Sequence, residues 1–320
     1  MCAWFACASV LVFGQAAAPA PVGETIAPDI PGVVAAGTRV QVIHTWEPSL
    51  GGEAPIAMPD GTLLYSQQDQ NKIVRIDNEG HASVYLDTAP NQILGLAYDN
   101  HGRLIAAHRG QPNGLVVLAP ARSVLADAFE GHTFASPNDL VVDRKGGVYF
   151  TDNVSEKTTR TGSPSAPGGK TVEAVYYVKP DGHVLRVTEV PSKPNGIQLS
   201  PDEKVLYVDS GPASYVTAFD VEADGRVTNP REFAQLSAPG SAGGADGMAM
   251  DAMGRLYVAS NGGVKVFGPK GGQPLGMIPT SIKPRNVAFG GSDRKTLFVV
   301  TRGAVFKVAM LAAGVPGRGK

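Results

Sequence analysis

Thiols are nearly missing from this chain. Of 320 residues only Cys2 and Cys7 are cysteine, and both lie in the first seven positions. Everything downstream is therefore without a disulfide framework, a cysteine nucleophile or a thiolate-ligated metal. Excess charge is missing too: 28 Lys+Arg face 29 Asp+Glu, the formal net charge is −1, and 18% of residues are charged. Such a balance gives no electrostatic footprint for nucleic acid or an anionic membrane surface. No long segment carries a 3.6-residue apolar period, which argues against helix bundles and α/β sheets. Neither a Gly-x-Ser-x-Gly elbow nor a His-Glu-x-x-His pair occurs. Gly169-Lys170-Thr171 ends like a phosphate loop, but Pro164 stands where that loop needs its first glycine.

What is present is apolar and rich in turns. Hydrophobic residues make up 43%, enough for a large core, and 39 Gly with 25 Pro amount to one residue in five. No charge occurs before Glu24, and residues 3–13 form an apolar run too short to span a bilayer, followed by Gly14-Gln15-Ala16-Ala17-Ala18. Residues 1–18 read as a signal peptide, so the expectation is an exported protein, periplasmic or secreted, with no membrane attachment after cleavage. Residues 19–37 read as a Pro/Ala/Gly-rich linker, 38–310 as one folded domain and 311–320 as a flexible tail.

A repeat organises the folded part. Each copy is an apolar alternating run, a polar turn and a second apolar run. The second runs centre on Leu63, Leu104, Val148, Leu206, Leu256 and Leu297, spaced by 41, 44, 58, 50 and 41 residues. The turns before them include Pro59-Asp60-Gly61, Asn100-His101-Gly102, Arg144-Lys145-Gly146 and Ala252-Met253-Gly254. Six strand-like copies at a period mostly in the forties predict an all-β fold, a six-bladed β-propeller with four antiparallel strands per blade around a central channel. Residues 39–46 alternate well and precede the first copy, so they are predicted to supply the missing outer strand of the last blade and close the ring.

Propeller geometry turns the repeat into a map. Each innermost strand starts at the top face beside the channel, so the residues just before it converge on one axis. Those positions read Glu53-Ala54-Pro55, Leu94-Gly95, Pro137-Asn138-Asp139, Pro194-Asn195-Gly196, Ala245-Asp246-Gly247 and Arg285-Asn286. An Asn or Asp before a strand is ordinarily a turn residue. Glu53, Asn138, Asn195 and Asp246 recur at equivalent places in four of six blades, and together they make two carboxylates and two amide oxygens, the donor set of a hard divalent cation. The second strands end at His108-Arg109, Thr151-Asp152, Asp209-Ser210 and Thr301-Arg302 on the same face. Arg109 and Arg302 are candidates to hold a substrate carboxylate or hydroxyl, His108 to be a proton shuttle or an ordinary loop histidine, and Asp152 and Asp209 to bind substrate or to supply the base should Asp246 not do so.

Ser136-Pro137-Asn138-Asp139-Leu140 with Tyr149-Phe150-Thr151-Asp152 resembles the senescence marker protein/gluconolactonase/luciferin-regenerating enzyme family. So do Lys193-Pro194-Asn195-Gly196-Ile197, Ala245-Asp246-Gly247-Met248-Ala249-Met250-Asp251 and Asn286-Val287-Ala288-Phe289-Gly290-Gly291. The resemblance covers about residues 45–308. It implies a six-bladed propeller with one divalent cation in the channel, calcium first, with zinc, magnesium or manganese as alternatives. It places the family's metal glutamate on Glu53, its asparagines on Asn138 and Asn195, and its metal aspartate on Asp246, which would also be the catalytic base. The usual activity is lactone hydrolysis. Two departures stand out: Ala54 replaces the glycine of the usual Glu-Gly-Pro, and Ser136 stands where some animal members carry arginine.

The implied function is a metal-dependent lactonase on a small-molecule substrate, in a monomer or weak dimer. The alternatives are a phosphotriester or other ester hydrolase with the same site, or a non-catalytic propeller that binds a ligand and uses the metal for structure. The longest spacing, from Val148 to Leu206, signals an insertion over residues 153–170. It is poor in apolar residues, follows a second strand, and is read as a top-face lid with Lys157 and Arg160 available to an anion.

Overall fold

The structure is a computed structural model, described over residues 21–153, 173–189 and 193–318. The signal-peptide segment and most of the 153–170 insertion, Lys157 and Arg160 included, lie outside the described residues.

Among the described residues, alternating sequence runs become six antiparallel blades, with a small two-stranded sheet of Ala128–Phe129 and His132–Thr133 between blades two and three. Blade one comprises Glu53–Ala57, Leu63–Gln67, Lys72–Ile76 and Ala82–Asp87; blade two comprises Gln92–Tyr98, Leu104–Arg109, Gly114–Ala119 and Ser123–Ala126. Blades three and four run from Pro137–Val142 to Val184–Glu189 and from Pro194–Leu199 to Val227–Gln235. Blade five runs from Met248–Met250 to Pro274–Pro279. Blade six holds Pro284–Gly290, Thr296–Thr301 and Ala304–Ala309. The innermost strand of each blade touches those of both neighbours, round to blade one again. The predicted six-bladed propeller is the observed fold.

Ring closure comes from the N-terminal side. Arg39–Thr45 pairs antiparallel with Ala304–Ala309, with Val40 opposite Val308 and Val42 opposite Phe306. Thr25–Ile26 adds a fifth strand outside it. Burial follows position in the blade. Val148–Asp152 is buried throughout, whereas the outer strand Ala82–Asp87 is almost wholly exposed. The core therefore lies between blades, as where Ile105, Leu115 and Val117 of blade two meet Leu140, Phe150 and Tyr176 of blade three.

The bottom turns repeat one device. Asp99 Oδ1 accepts from the His101 and Arg103 amides, and Asp251 Oδ1 from the Met253 and Arg255 amides. In each turn a glycine, Gly102 or Gly254, takes positive φ, where a Cβ would be strained. The second Asp251 oxygen accepts from Arg255 Nε at 2.6 Å and Tyr257 Oη at 2.9 Å.

Two stretches are built in more firmly than their composition implies. In the stretch read as a linker, Ala27, Ile30, Val33 and Val34 are fully buried against blades five and six. In the stretch read as a flexible tail, the chain crosses the bottom face from blade six to blade four. Leu311 N donates to Val33 O, Gly314 N to Arg294 O, and Val315 is buried against blade five. Arg318 then donates to Leu199 O, Ser200 O and Glu203 Oε1. Pro316, Gly317 and Arg318 wall a cavity of about 170 Å³ whose floor is Ile56, Ala97 and Leu140. A few apolar contacts and captured carbonyls suffice to order a segment with no periodicity.

Candidate functional site

The innermost strands enter the channel irregularly. Pairing register shifts between Glu53 and Ile56, Pro137 and Leu140, Pro194 and Ile197, and Pro284 and Asn286. A bulge re-aims the side chains it carries. The bulged residues include Asn138, Asn195 and Arg285, and Glu53 stands at the edge of its own. Asp246 precedes the strand of blade five and is fixed by its amide donating to Ala259 O at 3.0 Å. Close approach between blades needs glycine here. A Cβ on Gly196 would lie 2.2 Å from Asp246 O, and one on Gly247 would lie 2.0 Å from the Asn286 amide.

These positions bring Glu53, Asn195 and Asp246 together. Asn195 hydrogen-bonds the Asp246 carboxyl with its side chain. Arg285 stands between the two acids: its Nε donates to Glu53 Oε1 and lies 3.8 Å from Asp246 Oδ2. Asn138 is half-buried at the start of the blade-three strand, one blade from Asn195. Arg109 and Asp152 enter from the ends of second strands. Arg109 Nε donates to Pro137 O at 3.3 Å, and its guanidinium feels the charges of Asp152, Glu53, Arg285 and Asp246. Asp152 is buried and accepts from the Ala135 amide at 2.9 Å and the Ser136 amide at 2.6 Å. Every blade thus contributes a polar side chain to one end of the channel.

Burial sets the protonation. It pushes the Asp246 carboxyl up to about 7, with the negative charge of Glu53 adding to the effect and Arg285 opposing it. Burial likewise pushes Asp152 up to about 7, against its two amide donors and Arg109. Arg109 is brought down to about 10 by burial and stays a cation at neutral pH. Glu53 holds Arg285 firmly charged.

Of the remaining residues singled out by sequence, His108 and Arg302 sit elsewhere, whereas Asp209 lies against the corner that holds Asn195 and Asp246. His108 is buried with both ring nitrogens committed: Nδ1 meets Pro112 O at 2.7 Å and Nε2 meets Arg122 Nη2 at 3.2 Å. Burial lowers its pKa, so the neutral ring, donating from Nδ1 and accepting at Nε2, fits these partners. Asp209 accepts the Gly196 amide at 2.9 Å and borders a second cavity of about 290 Å³ at the top of blade four. Arg302 is exposed and donates to Ser49 O, tying blade six to the blade-one loop. Arg285 was not singled out from sequence, although it occupies in blade six the place of Asn195 in blade four.

The donor set suits a hard cation. Two largely buried carboxylates and an amide are gathered, their oxygens already share one positive group, and the acid at Asp246 is raised first by burial and then by the negative charge of Glu53, the second of which a cation would offset. Among the described residues no cluster of three or more His, Cys, Asp or Glu side chains forms, so two acids with amide oxygens are what this channel offers.

A β-propeller with carboxylates, amide and guanidinium groups from all six blades converging at one end of the channel is the framework of a small-molecule site. The chain belongs to the SMP-30/gluconolactonase/LRE-like family, whose model matches residues 51–303. It is 32% identical over 194 residues to a gluconolactonase of Zymomonas mobilis, covering 58% of this chain and 54% of that protein. It is 37% identical over 150 residues to the lactonase drp35 of Staphylococcus aureus, covering 44% and 41%. The matches thus span about half the length of these curated relatives. Among solved structures, a Xanthomonas campestris gluconolactonase superposes with a TM-score of 0.75 at 29% identity, over 91% of this chain and 98% of that one. A luciferin-regenerating enzyme shares the fold, with a TM-score of 0.71 at 17% identity over 87% and 99%.

Proposed function

We propose that this chain is a hydrolase that opens a lactone, using a divalent cation held by Glu53, Asn138, Asn195 and Asp246. The observation that carries the proposal is the gathering of the Glu53 and Asp246 carboxyls with the Asn195 amide at one end of the channel. The gluconolactonase and lactonase relatives support the substrate class. When bound, the cation would polarise the ester carbonyl and make water a better nucleophile. The protein's own groups do the rest. Asp246 accepts the proton that water loses as its oxygen bonds to the carbonyl carbon. It returns that proton to the ring oxygen as the carbon–oxygen bond breaks. A carboxylate beside the attacked carbonyl can take and return a proton in this way. Arg109, a cation facing the acids, binds the carbonyl or a hydroxyl of the sugar ring. Asp152, locked by two amides, keeps Arg109 in place by charge. Calcium is the first cation to try, because every donor is oxygen.

The test is hydrolysis of a panel of aldonolactones by chelated protein after adding back calcium, magnesium, manganese or zinc. Hydrolysis should return with a cation. Asp246→Asn should lower kcat by about 10²-fold or more at saturating cation, because an amide ligates but takes no proton. Absence of lactone hydrolysis with every cation overturns the reading. Export through residues 1–18 belongs to the same proposal, and N-terminal sequencing of the mature protein tests it.

A further inference from the structure

We propose that Arg285 is a built-in counter-ion that competes with the divalent cation for Glu53 and Asp246, so that metal occupancy in this chain requires the guanidinium to swing away. The proposal rests on the cation reading above. Glu53 and Asp246 are largely buried, with side-chain exposures of 4% and 17%, and Arg285 shows 21%. Charges so placed need partners, because burial strips their water. Arg285 supplies one, donating to Glu53 Oε1 and lying 3.8 Å from Asp246 Oδ2, on the two carboxylates that a cation would use. A second positive group on the same two carboxylates would be repelled by the first and would share the same negative charge.

The groups that face Arg285 are Glu53, Asp246 and Asp69 as acids and Arg109 as a like charge. The acids hold it in, while Arg109 makes a further positive charge there costly. The backbone beneath it is pinned. Its carbonyl accepts the Gly247 amide at 2.6 Å, and the next residue, Asn286, is buried and accepts the Val287 amide with its own side chain. Only the long side chain is left to move. An arm on a fixed base, between two acids, lets one site hold either its own cation or an external one.

Calorimetric titration of calcium into chelator-treated protein measures the competition directly. Arg285→Gln should bind calcium at least tenfold more tightly than wild type, and Arg285→Met likewise. Arg285→Lys keeps the charge and should stay within about threefold of wild type. In chelator, Arg285→Met should melt below wild type, because two buried acids lose their counter-charge, and calcium should raise its melting temperature by more. Equal or weaker calcium binding by folded Arg285→Gln overturns the proposal while leaving the cation reading intact. So does lysine binding as tightly as glutamine, since the effect would then not be charge. If neither wild type nor Arg285→Gln binds calcium, magnesium, manganese or zinc, the cation reading falls and this proposal falls with it.

Discussion

Two carboxyls at the channel end, Asp246 and Asp152, titrate near 7 in the folded chain and near 3.8 as free side chains. Between those values the folded state holds more protons than the unfolded one, so stability falls as pH rises through that window and levels off above about 7. Melting temperatures of chelated protein should therefore decline from pH 5 to pH 7.5. Asp246→Asn should flatten the decline, because its contribution no longer titrates. Ala54 carries a different constraint at the same place. It is buried, follows Glu53 directly, and has φ +51°, the left-handed region that glycine occupies freely. That accounts physically for a glycine at this position elsewhere in the family. A β-branched side chain fits this conformation worst, so Ala54→Val should cost about 2 kcal/mol or more in urea unfolding and weaken calcium binding through the neighbouring Glu53.

At the level of elements, the strands and turns were legible because each repeats six times. Leu104, Val148 and Leu256 hold equivalent positions, and Asp-x-x-Gly turns recur before them. The same repetition exposed Glu53, Asn195 and Asp246, since equivalent positions in a closed ring must converge. Arg285 was visible at its repeat position, but its pairing with two acids depends on side-chain length and direction across three blades, which linear spacing does not encode. His108 and Arg109 are adjacent in one strand, and alternation sends one into the blade and the other to the channel. Residues 21–37 and 311–318 escaped notice because their anchors, Ile30, Val33, Val34 and Val315, are few and lie among Gly and Pro. Removing residues 311–320 tests how much the crossing matters. It exposes Val315 and frees Arg318 from two carbonyls and Glu203, so the chain should lose about 3 kcal/mol by urea unfolding. Turnover of the truncated protein should match wild type, because this segment lies on the face opposite Asp246.

The whole molecule is a ring whose cores lie between blades, so no blade is complete without its neighbours. An open array of repeats can lose an end and keep the rest. Here Val40, fully buried in the closing strand, has Val308 as its partner, and the interface beside it is shared with blade five. Val40→Asp should therefore destabilise the entire domain by about 3 kcal/mol or more and leave a single unfolding transition. Calorimetry would reveal a separate early transition if blade six opened on its own.

Closure by the first strand also sets an order in time. Arg39–Thr45 leaves the ribosome early, yet the strand it must join is among the last made. At roughly 5–20 residues per second, the opening strand waits for more than ten seconds with its edge uncovered. Through that interval the nascent chain cannot reach its final stable form, however well its middle blades have begun to pair. Whatever handles this protein at birth meets a thread that locks only when its end arrives.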